Sequence, residues 1–283
     1  MGEYQELAKR NVLKPIEKHI DAGVMRVHYD NTVTAETVPK RHTPFIMVEH
    51  PWDRNCSKWF QIYFELYGLL PPPCMNCWKI VAKPKTLREL MEIHALQKTL
   101  GLPAKAGMEV RTYTSGIYSA FWYCPMKEGL EGALELYKLV NDDLSKRGIE
   151  CILKRACTEM EMKYGASNMW LPNNKQQEFF DRLEKIFKVK AHDSKTIPMY
   201  YDSIKREWIE WAYQHGDETY LRYTDNKPMY APLVTYHDRL PGGVPIEIQP
   251  FTVEVDDGAI ESYLRSKNCE RYSAGYVSPL EVV

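Results

Sequence analysis

Along the middle of the chain, apolar and polar positions alternate with two distinct periods. The stretch 78–83, WKIVAK, is short, apolar and bounded by proline-rich sequence, and it reads as a buried strand. From Thr86 onward the apolar positions fall three and four apart. Leu87, Leu90, Met91 and His94 share one face, with Ile93 and Leu100 on its flank, which predicts an amphipathic helix. Thr86 and Glu89 form a capping box at its start, and Gly101 is placed to end it. The runs 108–113 (MEVRTY) and 117–124 (IYSAFWYC), joined through Thr-Ser-Gly, predict a hairpin. A second helical period over 128–146 turns Leu130, Leu134, Tyr137 and Leu144 inward. The segment 150–157 (ECILKRAC) then reads as a fourth strand.

The order βαββαβ is the split-βαβ arrangement, and right-handed crossovers set its sheet order as 4-1-3-2. The expectation is an α+β chain with a ferredoxin-like core over 71–165. Residues 1–70 form an N-terminal extension and 166–283 a helical, loop-rich C-terminal one. In the first extension, 24–29 and 45–49 read as strands. Trp59, Phe60, Tyr63, Phe64 and Tyr67 mark a helical stripe that Asp53 or Asn55 caps and Pro71–Pro73 ends. In the second, helices are expected around Phe179–Phe187 and 202–213, with a short strand pair and a last helix over 259–265.

Charge narrows the function classes. Thirty-seven Lys and Arg stand against thirty-eight Asp and Glu, so the chain lacks the basic excess of a protein that lives on duplex phosphates. Contact with single-stranded nucleic acid would need a local patch; a protein partner is the other expectation. No run of 18 apolar residues or leader-like segment occurs, which predicts a cytoplasmic protein with no membrane contact.

Seven cysteines in a reducing compartment favour metal binding or burial over disulfides. Cys74 and Cys77 form a Cys-x-x-Cys pair where the first strand begins. In a 4-1-3-2 sheet, strand 1 lies between antiparallel strands 3 and 4, so its start meets their ends, at Cys124 and Cys157. Neighbouring strands lie about 4.8 Å apart. Cys56, in the first turn of the aromatic helix, is the natural fourth member. The expected metal ligands are Cys56, Cys74, Cys77 and Cys157, with Cys124 and His50 as alternates. Four thiolates suit an iron–sulfur cluster or a zinc ion. Cys151, at the far end of strand 4, should be an ordinary buried thiol.

Two further constellations follow from the predicted strands. If the fourth strand continues, Glu159 and Glu161 point to one face, as a Mg²⁺-holding pair for phosphoryl transfer or nucleic-acid processing would. Redox chemistry on a cluster is the other enzymatic alternative. Tyr118 and Trp122 share one face of strand 3, where a nucleic-acid-binding sheet displays stacking rings. Lys83, Lys85 and Arg155, with Lys79, Arg88 and Lys154, supply candidate phosphate contacts.

Overall fold

The computed structural model describes residues 12–35, 44–189 and 198–230, with positions 196 and 242. The chain divides into two compact units, Met1–Ala231 and Pro232–Val283, and the elements below belong to the first. The strand pair and helix expected beyond residue 231 lie outside the described residues.

In chain order the strands are β1 (Met25–Val27), β2 (Val33–Ala35), β3 (Phe45–Glu49), β4 (Trp78–Ala82), β5 (Ala104–Met108), β6 (Tyr118–Tyr123) and β7 (Cys151–Arg155). The helices are α1 (Glu17–Asp21), α2 (Cys56–Lys58), α3 (Leu87–Leu100), α4 (Gly129–Ser145), α5 (Thr158–Tyr164), α6 (Asn174–Ile186) and α7 (Tyr201–Gln214). A π-helical turn, Trp59–Phe64, continues α2. β1 and β2 form a separate antiparallel pair, while the other five strands make one sheet in the order β3-β5-β6-β4-β7, every neighbour antiparallel.

Strand alternation sends Ile80, Ala82, Ala104, Ala106, Tyr118, Ala120 and Trp122 to one face of this sheet. There they form a single core with Leu87, Leu90, Ile93, Val140, Leu144, Ile204 and Trp208 from α3, α4 and α7. Trp208 is fully buried and donates its indole N–H to the Pro44 carbonyl at 2.6 Å, tying α7 to the edge strand β3. Thr86 caps α3 by accepting from the Glu89 amide at 3.2 Å, and Gly101 ends it in the left-handed conformation (φ 60°). A second core joins the N-terminal elements to α6, through Ile16, Val33, Tyr63, Tyr67, Phe180 and Phe187.

The sequence pattern misplaced three features. The first strand of the hairpin begins at Ala104, four residues before the expected Met108, and 109–117 forms a long connection instead. Small residues, not β-branched ones, make this strand because the third strand and α3 press on it from two sides. Gly107 is required there: a Cβ would lie 2.3 Å from the Pro44 carbonyl oxygen and 2.7 Å from the Phe45 Cα. In α4 the buried stripe runs through Ala133, Tyr137, Val140 and Leu144, leaving Leu130 and Leu134 exposed. The close approach of α4 to β4 and β7 favours the small Ala133 over its larger neighbours. Finally, β7 ends at Arg155. Ala156 turns with a positive φ of 54°, and Thr158–Tyr164 is helical rather than a continuing strand.

Candidate metal centre

The expected meeting of strand ends is present. The Ala156 amide donates to the Cys77 carbonyl at 2.8 Å, and the Cys124 amide donates to the Trp78 carbonyl at 3.1 Å. Cys77 therefore lies one ladder step from Cys157 on one side and beside Cys124 on the other. A 3-10 turn, Pro72–Asn76, carries Cys74; its carbonyl accepts from the Cys77 amide at 3.2 Å, which folds the Cys-x-x-Cys pair onto itself. Cys74 and Cys157 pack in one small apolar cluster with Phe64, Met75, Met160 and Trp170. Asn55 accepts from the Lys58 amide at 3.1 Å and starts the helix that brings in Cys56.

Each of the thiols of Cys56, Cys74, Cys77 and Cys157 lies within electrostatic reach of the other three. Cys74 and Cys77 are buried, Cys157 is half-buried and Cys56 is exposed as a whole residue. The Cys56 sulfur nevertheless sits among packed atoms. That desolvation, then Cys157 and Cys77, push its thiol up to about 12. Burial and then the neighbouring thiols raise Cys74 as well. Cys77 is raised by burial, with Arg54 and Lys79 pulling the other way. Two cations reach the sulfurs directly: Arg54 donates from Nη1 to Cys77 Sγ at 3.2 Å, and Lys79 Nζ lies 3.8 Å from Cys157 Sγ. Arg54 is itself buried, held by Asp53 at 2.9 Å and by the Cys124 carbonyl at 2.6 Å.

Among the described residues, no group of three or more His, Cys, Asp or Glu is disposed to hold a metal ion as it stands. The alternates are placed differently. Cys124 is buried; burial pushes its thiol up to about 12, with Arg54 opposing and Cys77 adding to the rise. His50 sets its ring edge-on against exposed Trp52, with centroids 5.9 Å apart. Cys151 lies at the far end of β7, donating to Asn141 Oδ1 at 3.3 Å, and is the buried thiol expected. Cys269 lies outside the described residues.

The acidic pair is not brought together. On helix α5, Glu159 and Glu161 are two positions apart and leave in different directions. Glu159 accepts from Arg111 at 3.1 Å and from the Tyr113 hydroxyl at 2.7 Å, while Glu161 pairs with Lys154 and accepts from the Ser167 amide at 3.3 Å. A shared Mg²⁺ site needs the strand that ends at Arg155 to continue, and it does not.

The expected stacking surface is also corrected. Tyr118 and Trp122 are fully buried on the helix-covered face, and Tyr118 donates to Asp217 at 2.8 Å. The opposite face carries Lys79 and Val81 of β4, Lys105 of β5, and Ser119, Phe121 and Tyr123 of β6. Arg155 is an internal staple, donating to the Met75 and Ser167 carbonyls and lying over the Trp78 ring. Lys83 and Lys85 are exposed, and Lys83 donates to Ser115 at 2.8 Å.

Sequence reasoning missed Arg54, Lys105 and Arg111. Lys105 had a readable signal: a lysine between alanines two apart, in AKAG, faces away from the side those alanines bury. Arg54 had none, since its role depends on a loop meeting two strand ends.

Among the described residues no helix is long and apolar enough to cross a membrane. Compared with protein families, with curated proteins and with solved structures, the chain matches none.

Proposed function

We propose that this chain is a metal-binding protein in which Cys56, Cys74, Cys77 and Cys157 hold a zinc ion or an iron–sulfur cluster on a ferredoxin-like domain. The fold name rests on the run β7-β4-β6-β5, which orders the four strands of the βαββαβ segment as 4-1-3-2, with β3 added at the edge. The observation that carries the metal reading is the convergence of four thiols, from three separate chain segments, at one end of that sheet.

The donor set fits a thiophilic metal. Thiolate sulfur selects zinc or iron–sulfur chemistry over hard cations such as Mg²⁺. Four thiolates around Zn²⁺ carry a net charge of about −2, and Arg54 and Lys79 already lie against two of the sulfurs with positive charge to offset it. Without metal, burial first and then the neighbouring thiols favour the protonated form of Cys56 and Cys74. Metal binding would replace those protons and draw the sulfurs inward, so binding and local ordering are one event. The metal would supply a cross-link between the aromatic helix, the Cys-x-x-Cys turn and β7, or a one-electron centre if it is a cluster.

The test is metal content and absorbance of protein purified without oxygen. Zinc near one equivalent in colourless protein, or iron and sulfide with a broad band near about 400 nm, supports the reading. Substituting Cys77 and Cys157 by Ser should abolish it, while Cys151→Ser should not. Metal content that is unchanged in the double variant, or absent from the wild type after reconstitution, refutes it.

A further inference from the structure

Among the described residues, three cations on the second face of the sheet or its rim are matched by carboxylates. Arg54 pairs with Asp53, Arg111 with Glu109 and Glu159, and Lys154 with Glu161. Among the described residues Lys79 and Lys105 have no carboxylate in ion-pair contact; Lys79 Nζ lies 3.8 Å from Cys157 Sγ, a neutral thiol unless it is deprotonated or metal-bound. They flank the same ring: Lys79 Nζ is 5.9 Å and Lys105 Nζ 5.1 Å from the centre of Phe121. Lys105 also lies 4.5 Å from the centre of Phe45, so its ammonium is held between two aromatic rings. Ring faces attract a cation without cancelling its charge. Two half-buried ammonium groups are thus left around one ring without a carboxylate in ion-pair contact, in a chain whose overall charge is near neutral.

We propose that Lys79 and Lys105 form a phosphoryl-binding site over Phe121, on the face of the sheet turned away from the helices. A doubly charged, tetrahedral group matches two lysine ammoniums, which act as point-charge donors without a preferred plane. Arg111, clamped by two carboxylates, is already engaged and serves to wall the site. Lys105 carries an unfavourable field: its amine is held down to about 8 by burial first and then by Lys79 and Arg111, with Cys56 and Cys157 opposing, and a bound anion would relieve that conflict. The phosphoryl group can belong to a small phosphorylated molecule or to a single-stranded nucleic-acid backbone.

The experiment titrates the full chain with inorganic pyrophosphate by calorimetry and with a fluorescent dT12 oligonucleotide by anisotropy. Both are repeated in Lys105→Met, Lys79→Met and Lys98→Met. Loss of one charge-assisted contact should weaken binding by roughly tenfold or more in the first two variants. Lys98, exposed on α3 and on the other side of the sheet, should leave it unchanged. Lys105→Arg should restore part of the affinity, which separates charge loss from misfolding. Pyrophosphate binding alone assigns a small phosphorylated ligand; dT12 binding that pyrophosphate displaces and salt weakens assigns a nucleic-acid strand. Failure of both probes to bind at millimolar concentration, or equal binding by Lys105→Met, overturns the proposal. Metal content measured on the Lys105 variants keeps this outcome separate from that of the cysteine site.

Discussion

His94 lies on the buried face of α3, 3% exposed, with its ring edge-on to Tyr201 and Trp208 at 5.7 and 5.8 Å. Neither ring nitrogen has a hydrogen-bond partner among the described residues. Burial, with help from Lys205 and Lys98, holds its pKa down to about 4 against an ordinary 6.5. The unfolded chain therefore takes up a proton near pH 6.5 that the folded chain refuses until about pH 4. Across that window the unfolded state binds more protons, so stability is full above pH 6.5 and falls as the pH drops. At 1.36 kcal/mol per pKa unit, the loss reaches about 3 kcal/mol by pH 4. Replacing His94 by Leu removes the titration and leaves an apolar side chain in an apolar site.

Urea unfolding of the wild type and His94→Leu at half-unit steps from pH 7 to 4 measures this difference directly, because the carboxylates titrate alike in both and cancel. The stability difference should move by about 3 kcal/mol in favour of the variant as the pH falls. Parallel curves across the range, or an imidazole that titrates near 6.5 by NMR in the folded protein, would refute the burial argument.

Other substitutions examine how the sheet and its edge are held. Gly107→Ala forces a methyl group into the backbone of Pro44 and Phe45 and should cost about 1–3 kcal/mol, read as a lower urea midpoint with β3 amides losing exchange protection first. An unchanged midpoint would show that β3 is not docked as described. Asn55→Ala removes the cap on the cysteine-bearing helix and the bond from Asn55 Nδ2 to the Val189 carbonyl at 3.0 Å, for an expected loss of about 1 kcal/mol. No change in thermal midpoint would place that helix start elsewhere.

The chain's patterning revealed its architecture better than its chemistry. Periodicity located β4, α3 and β6 because the two strands are short apolar runs bounded by turn residues and α3 repeats its apolar positions every three and four residues, and Thr86 and Gly101 marked the ends of α3 by local backbone rules. The convergence of Cys77 with Cys124 and Cys157 was legible for the same reason: it follows from strand order and direction alone. β5 was misplaced because its residues are selected for closeness of packing, as Gly107 shows, and no propensity scale favours Ala-Lys-Ala-Gly as a strand. The facing of Tyr118 and Trp122 was misjudged because alternation identifies two faces without saying which one the helices cover. The Glu159–Glu161 pair failed at a single residue, Ala156, whose left-handed turn ends β7 and begins α5. Arg54 depends on a loop meeting two strand ends, which no local pattern records, whereas the facing of Lys105 was written in its place between Ala104 and Ala106.

The cysteine centre meets its most direct test in X-ray absorption at the metal edge of anaerobically purified protein. The account requires a first shell of sulfur alone at about 2.3 Å, with iron neighbours beyond it if the metal is a cluster. Loss of sulfur scatterers in Cys157→Ser would assign that ligand. A shell of nitrogen and oxygen, or an identical spectrum after Cys77 and Cys157 are both replaced, would contradict it.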